Sequence, residues 1–165
     1  MADLQDDMTP LQLGTTGMYE KERFEIIGRM RVAYSDGFWN EWYALLSDGR
    51  VGWLAEAQGF YAFCMPFFEG KIPTVDSIRV GKTVDMGSKG IFEVDDFRMV
   101  KAIYSEGELP FAAAKGREST SVDLTGFQNE MATIEYAKES TRVFLGKYVD
   151  FDDYQFKNLR HLDGW

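Results

Sequence analysis

The sequence predicts an all-β protein. The expected form is two similar SH3-like small barrels, or strongly bent antiparallel meanders, packed together with at most one or two short helical turns. Three observations carry this. Apolar residues recur every second position through 24–34, and no segment sustains a 3.6-residue period. Glycine-containing turn signals separate short segments rich in rings, with aromatics at 15% of 165 residues. Features of the first half also recur in the second.

Taken in order, 1–10 reads as a flexible acidic lead-in, and Leu11-Gln12-Leu13-Gly14 begins ordered structure. Thr15-Thr16-Gly17 reads as a turn. Phe24, Ile26, Met30, Val32 and Tyr34 fall on even positions, with Arg23, Glu25, Arg29, Arg31 and Ala33 between them. That alternation marks a strand with one buried face. Gly28 interrupts it and predicts a bulge or bend. Asp36-Gly37 and Asp48-Gly49 are hairpin signals. They bound strands at 39–46 and 51–56, and a fourth follows at 60–67.

Residues 69–77 read as a connector. Val80-Gly81 before Phe92-Glu93-Val94 then resembles Leu13-Gly14 before Phe24-Glu25-Ile26. Glu106-Gly107 takes the place of Asp36-Gly37, and 131–136 is matched to 39–46. We read an internal duplication of roughly 70 residues. The halves are 11–68 and 78–151, with an insertion near 109–125 and a tail at 152–165. Asp95-Asp96 suggests a strand break. Residues 112–116 and 152–158 are the only helical-turn candidates.

A formal net charge of −9 argues against nucleic acid, which needs a basic footprint, and against docking on anionic lipid. The single cysteine, Cys64, lies in an apolar run and can form neither an intramolecular disulfide nor a cysteine zinc site within the chain. That run is about half of what a membrane helix needs. The acidic start lacks the basic and apolar regions of a signal peptide, so cytoplasm is the expected location.

No catalytic motif emerges. His161 with Asp163 has no nucleophile elbow near it. Asp150, Asp152 and Asp153 lack calcium-loop spacing. No metal or cofactor site is expected. The densest chemistry lies at 36–59, where three of four tryptophans fall within fifteen positions beside amides and carboxylates. Trp39, Asn40, Glu41, Trp42, Trp53, Glu56 and Gln58 are therefore the candidate ligand-binding residues. Trp39, Trp42 and Trp53 could offer ring faces to a cation. Glu41 and Glu56 lie on strands joined by the Asp48-Gly49 hairpin. If both face one side, they could hold a cation or share a proton. The competing reading makes the tryptophans core and the polar groups their hydrogen-bond partners.

The segments Asp36-Gly37-Phe38-Trp39-Asn40-Glu41-Trp42-Tyr43 and Gly52-Trp53-Leu54-Ala55-Glu56-Ala57-Gln58-Gly59, with Gly107-Glu108-Leu109-Pro110, resemble a bacterial family catalogued as domain of unknown function 4178. The resemblance runs from about Thr9 to the C-terminus. It implies no catalytic residue. Longer members carry a cysteine-rich, zinc-ribbon-like start, whose cysteines do not occur in this sequence, and members tend to be encoded near polyamine-synthesis-like enzymes and small membrane proteins.

The expected function is a non-catalytic binding or accessory module. Its aromatic and acidic groove on the first half would meet a protein, a peptide or a cationic small molecule. The alternative is an enzyme using Glu41 or Glu56 as general acid or base, with a link to polyamine metabolism.

Overall fold

A computed structural model describes residues 8–111 and 116–161. Ten antiparallel strands run in chain order: β1 Thr16–Tyr19, β2 Glu22–Tyr34, β3 Gly37–Leu46, β4 Val51–Ala57, β5 Phe60–Pro66, β6 Thr83–Asp85, β7 Ile91–Gly107, β8 Glu118–Thr125, β9 Glu130–Ala137 and β10 Thr141–Tyr148. Among the described residues there is no α-helix, only three 3-10 turns. One of them, Phe151–Tyr154, falls where 152–158 suggested a helical turn. The other candidate, 112–116, lies almost wholly outside the described residues.

The protein is one closed barrel of eight strands, which corrects the expectation of two small barrels. Each half supplies a four-stranded meander, β2–β5 or β7–β10, and the edges of one meander pair with the edges of the other. β5 pairs with β10 from Ala62↔Tyr148 to Pro66↔Phe144. β2 pairs with β7 from Gly28↔Gly107 to Ala33↔Lys101. Four strands are too few to close around filled side chains, whereas eight close with room inside, and closure removes the open edges. The short strands β1 and β6 lie outside the closure, on the first parts of β2 and β7.

The halves repeat their element order. Gly14 N–H donates to Ile26 O and Ile26 N–H to Thr15 O, both at 2.8 Å. Gly81 N–H donates to Val94 O and Val94 N–H to Lys82 O, again at 2.8 Å. By this order the counterpart of β3 is β8, not 131–136, which is β9. The inserted stretch shrinks accordingly, since 118–125 is a barrel strand.

The alternation in β2 does not mark one buried face. A bulge between Ile26 and Gly28 shifts the register against β3. Phe24 and Ile26 therefore face outward with Leu46 and Ala44, while Met30 and Val32 face inward beside Glu41 and Trp39. Gly28 allows this bend against the 108 carbonyl: a Cβ there would stand 1.8 Å from Glu108 O. β7 bulges at the corresponding place, between Val94 and Asp96, at the break suggested by the paired aspartates.

Both sheet faces consequently carry apolar residues. Outside the first half, Leu11, Tyr19 and Tyr154 cover Phe24, Trp42, Leu54 and Phe63. Outside the second, Ile78, Val84 and Met86 cover Phe92, Leu124 and Ile134. The lead-in is anchored where it is described. Thr9 is buried, and Pro10 O accepts from Arg160 N–H at 2.7 Å. Residues 1–7 lie outside the described part.

Candidate functional site

Strand alternation separates the predicted site residues onto two faces. On β3, Asn40 and Trp42 point outward, while Trp39 and Glu41 point into the barrel. On β4, Glu56 pairs with Asn40 and faces outward, and Trp53 pairs with Tyr43 and faces inward. Glu41 and Glu56 thus lie on opposite faces, so the carboxylate pair considered from sequence does not form. The groove is also not confined to the first half.

The outward group is a closed hydrogen-bond network. Glu56 Oε2 accepts from Thr9 Oγ1 at 2.7 Å and from Tyr61 OH at 3.1 Å. Its Oε1 accepts from Asn40 Nδ2 at 3.2 Å and Trp42 Nε1 at 3.1 Å. Asn40 Oδ1 accepts in turn from Arg29 Nη2 at 3.0 Å. The Arg29 guanidinium lies 4.7 Å from the Trp42 ring centroid. Trp42 is 0% exposed. Four donors use the acceptor capacity of one carboxylate, which leaves no place for a ligand. This part of the tryptophan cluster is core.

The inward group borders open space. All eight barrel strands contribute to a central cavity of about 60 Å³, with Val32, Trp53, Val100 and Met131 among its apolar lining. At one end it meets a groove of about 1020 Å³ that opens to solvent. Trp39, Glu41, Ala55, Ser121, Met131 and Thr133 line both. Phe38, Gln58, Phe60 and Tyr148 lie nearer the rim. Gln58 is exposed at the β4–β5 turn, with φ 49°.

Glu41 Oε1 accepts from Trp39 Nε1 at 3.1 Å. Burial pushes its carboxyl up to about 7; the Trp39 bond opposes this, and nearby Glu135 and Asp123 add to it. Burial also raises Asp123, against the Thr133 Oγ1 bond at 3.0 Å and the Arg98 charge. Cys64 lies on the same inner wall. Burial pushes its thiol up, with Glu41 and Asp123 adding, which makes it a poor nucleophile. At the other end of the cavity, Glu135 Oε1 accepts from Arg117 Nη1 at 3.0 Å and Arg142 Nη2 at 2.8 Å. Both guanidiniums lie over Phe111, which stacks 6.2 Å from Trp53.

Asp123, Ser121 and Thr133 were missed from sequence. Ser119, Ser121 and Asp123 alternate with Thr120, Val122 and Leu124, and a polar row on a strand ordinarily reads as solvent-facing. Here that row faces the barrel interior. Among the described residues, no three His, Cys, Asp or Glu side chains are grouped to hold a metal ion, and no helix is long and apolar enough to cross a membrane. His161 is exposed, and Asp163 lies outside the described residues.

Fold and site together define a closed antiparallel β-barrel with an open, aromatic and acidic mouth. The chain belongs to the family described as "Domain of unknown function (DUF4178)", which matches residues 12–151. No curated protein and no solved structure matches it.

Proposed function

We propose that the protein is a non-catalytic binding module that receives a positively charged ligand, a small molecule or a side chain of a partner, in the mouth of its barrel. One observation carries the reading: the groove runs inward to Glu41 and Trp39 and joins the central cavity there. A concave site of this size, with rings and a few convergent polar groups, suits a small ligand. We take the two halves as duplicated copies whose union creates the mouth, with Trp39 and Glu41 from the first and Ser121, Asp123 and Thr133 from the second.

Acid–base catalysis keeps one support, the Glu41 carboxyl near 7. It has lost the Glu41–Glu56 pair that suggested it. A catalytic Glu41 would require a turnover that Glu41→Gln abolishes while ligand binding persists.

The test is a titration of the uniformly ¹⁵N-labelled protein with N-acetyl-lysine methylamide and N-acetyl-arginine amide, following the indole N–H resonances. Trp39 is expected to shift and Trp42 to stay still. Shifts confined to Trp42, or no shift at Trp39 with either probe, would refute a ligand site in the mouth.

A further inference from the structure

The groove's own cations are already engaged. Arg98 Nη2 lies 3.4 Å from Asp96 Oδ2, and its guanidinium lies 4.8 Å from the Tyr34 ring centroid. Lys147 Nζ lies 2.7 Å from Glu20 Oε1. At the inner end, Arg117 and Arg142 are committed to Glu135. Glu41 and Asp123 are different. Among the described residues neither has an ion-pair partner within 4.0 Å, and each accepts one side-chain hydrogen bond, from Trp39 and Thr133 respectively. Both carboxyl groups line the groove that opens to solvent, and the nearest opposing charges, Arg142 for Glu41 and Arg98 for Asp123, make no ion pair with them.

We propose that Glu41 and Asp123 form the seat of a single alkylammonium head, which enters from the mouth and displaces one proton from the pair to solvent. This rests on the reading of the groove given above and names the chemistry of its ligand. A primary ammonium offers three donors, and Glu41, Asp123, Ser121 and Thr133, which line the same groove, supply the acceptors. The Trp39 ring adds a face for the cation, and the groove's rings suit an alkyl portion. A carboxylate ligand would meet two acidic groups, and a neutral alcohol would bring them no opposing charge.

Glu41 is faced by Asp123 from β8, Glu135 from β9, Arg142 from β10 and the Cys64 thiol from β5. Its β2 and β4 neighbours, Met30 and Ala55, carry no charge. Asp123 is faced by Asp95, Asp96 and Arg98 from β7, and the Tyr148 phenol of β10, itself raised by burial, is near it. Burial raises both carboxyl groups, Glu41 to about 7, so at neutral pH Glu41 holds a proton in roughly half of the molecules, and an incoming cation expels it.

The test uses the full chain and n-butylammonium, with 1-butanol and butyrate as isosteric controls. Affinity is read by calorimetry, the Trp39 indole by NMR, and proton release in weakly buffered solution at pH 7. An alkylammonium stays charged throughout this range. If Glu41 must be ionised, affinity rises about tenfold from pH 6 to pH 8, as the competent fraction rises from roughly 0.1 to 0.9. Glu41→Gln and Asp123→Asn should each weaken binding about tenfold or more, and Glu41→Gln should abolish the pH dependence. Both keep the side-chain shape, and burial at each position favours the neutral form. Equal binding of all three probes, or affinity independent of pH with no proton released, would overturn the ammonium seat while leaving the groove reading intact. No Trp39 shift with any of the three, when the capped lysine or arginine does shift it, would overturn the seat alone. No shift with any probe would overturn both.

Discussion

Glu41 and Glu56 are carboxylates on adjacent, hydrogen-bonded strands, and their surroundings differ completely. Glu56 faces outward beneath the chain's first described residues and receives four side-chain donors. Glu41 faces the barrel interior, receives one and borders open space. The pairing explains the contrast. Asn40 is opposite Glu56, whereas Glu41 is opposite Ala55, so the two carboxylates are one position out of phase. A one-residue offset on a strand exchanges faces. The same dense stretch of sequence therefore builds a structural core on one side and a polar wall facing the groove on the other.

The largest effect is expected at Glu56. Glu56→Ala leaves buried donors on Asn40, Trp42, Thr9 and Tyr61 without their acceptor, and we expect a loss of about 4 kcal/mol in denaturant unfolding at pH 7. A loss below about 1 kcal/mol would show that the network does not hold the fold. Glu41→Gln should act in the opposite direction. The Glu41 carboxyl has a folded value near 7, against an ordinary value of 4.5 when unfolded. The folded chain therefore holds the extra proton between these values, and wild-type stability falls as pH rises from about 4.5 through 7. The neutral amide escapes that loss. We expect Glu41→Gln to be more stable than wild type by roughly 3 kcal/mol at pH 8 and nearly equal to it at pH 4.5.

The tryptophans sharpen the same contrast at smaller amplitude. Trp42→Phe removes a fully buried indole and its bond to Glu56, for an expected cost of about 2 kcal/mol. Trp39→Phe, at a half-buried position beside the groove, should cost less than about 1 kcal/mol while weakening ligand-induced changes. Comparable losses of stability at the two positions would contradict the division into core and wall. The smallest effect belongs to Gln58. Its positive φ favours glycine, so Gln58→Gly should stabilise by at most about 1 kcal/mol in thermal unfolding.

Much of the strand content was legible. The Asp-Gly hairpins, the Gly28 bulge and the Asp95-Asp96 break each follow from local chemistry that a short stretch contains. The closure was not. Nothing in the residues of β2 or β5 specifies that their free edges pair with β7 and β10, because backbone pairing has little side-chain code. The turn between β1 and β2 was missed because Glu20 and Lys21 adopt positive φ, 48° and 70°, where glycine or asparagine is the usual signal. Thr16-Gly17, read as a turn, belongs to β1 instead. The site was half legible for a related reason. Trp39 and Glu41 stood out by type, but their separation from Trp42 and Glu56 depended on strand phase. Asp123 and Thr133 come from β8 and β9, which only closure brings opposite β3.

The most direct measurement of the division between these two carboxylates is the pH titration of the Glu41 side-chain carboxyl carbon, followed by ¹³C NMR on the intact protein. A midpoint near 7 is predicted, because burial on the inner wall, reinforced by Glu135 and Asp123, outweighs the Trp39 hydrogen bond and the Arg142 charge. A midpoint near the ordinary 4.5 would contradict it, and would mean that Glu41 is as well compensated as any solvated carboxylate.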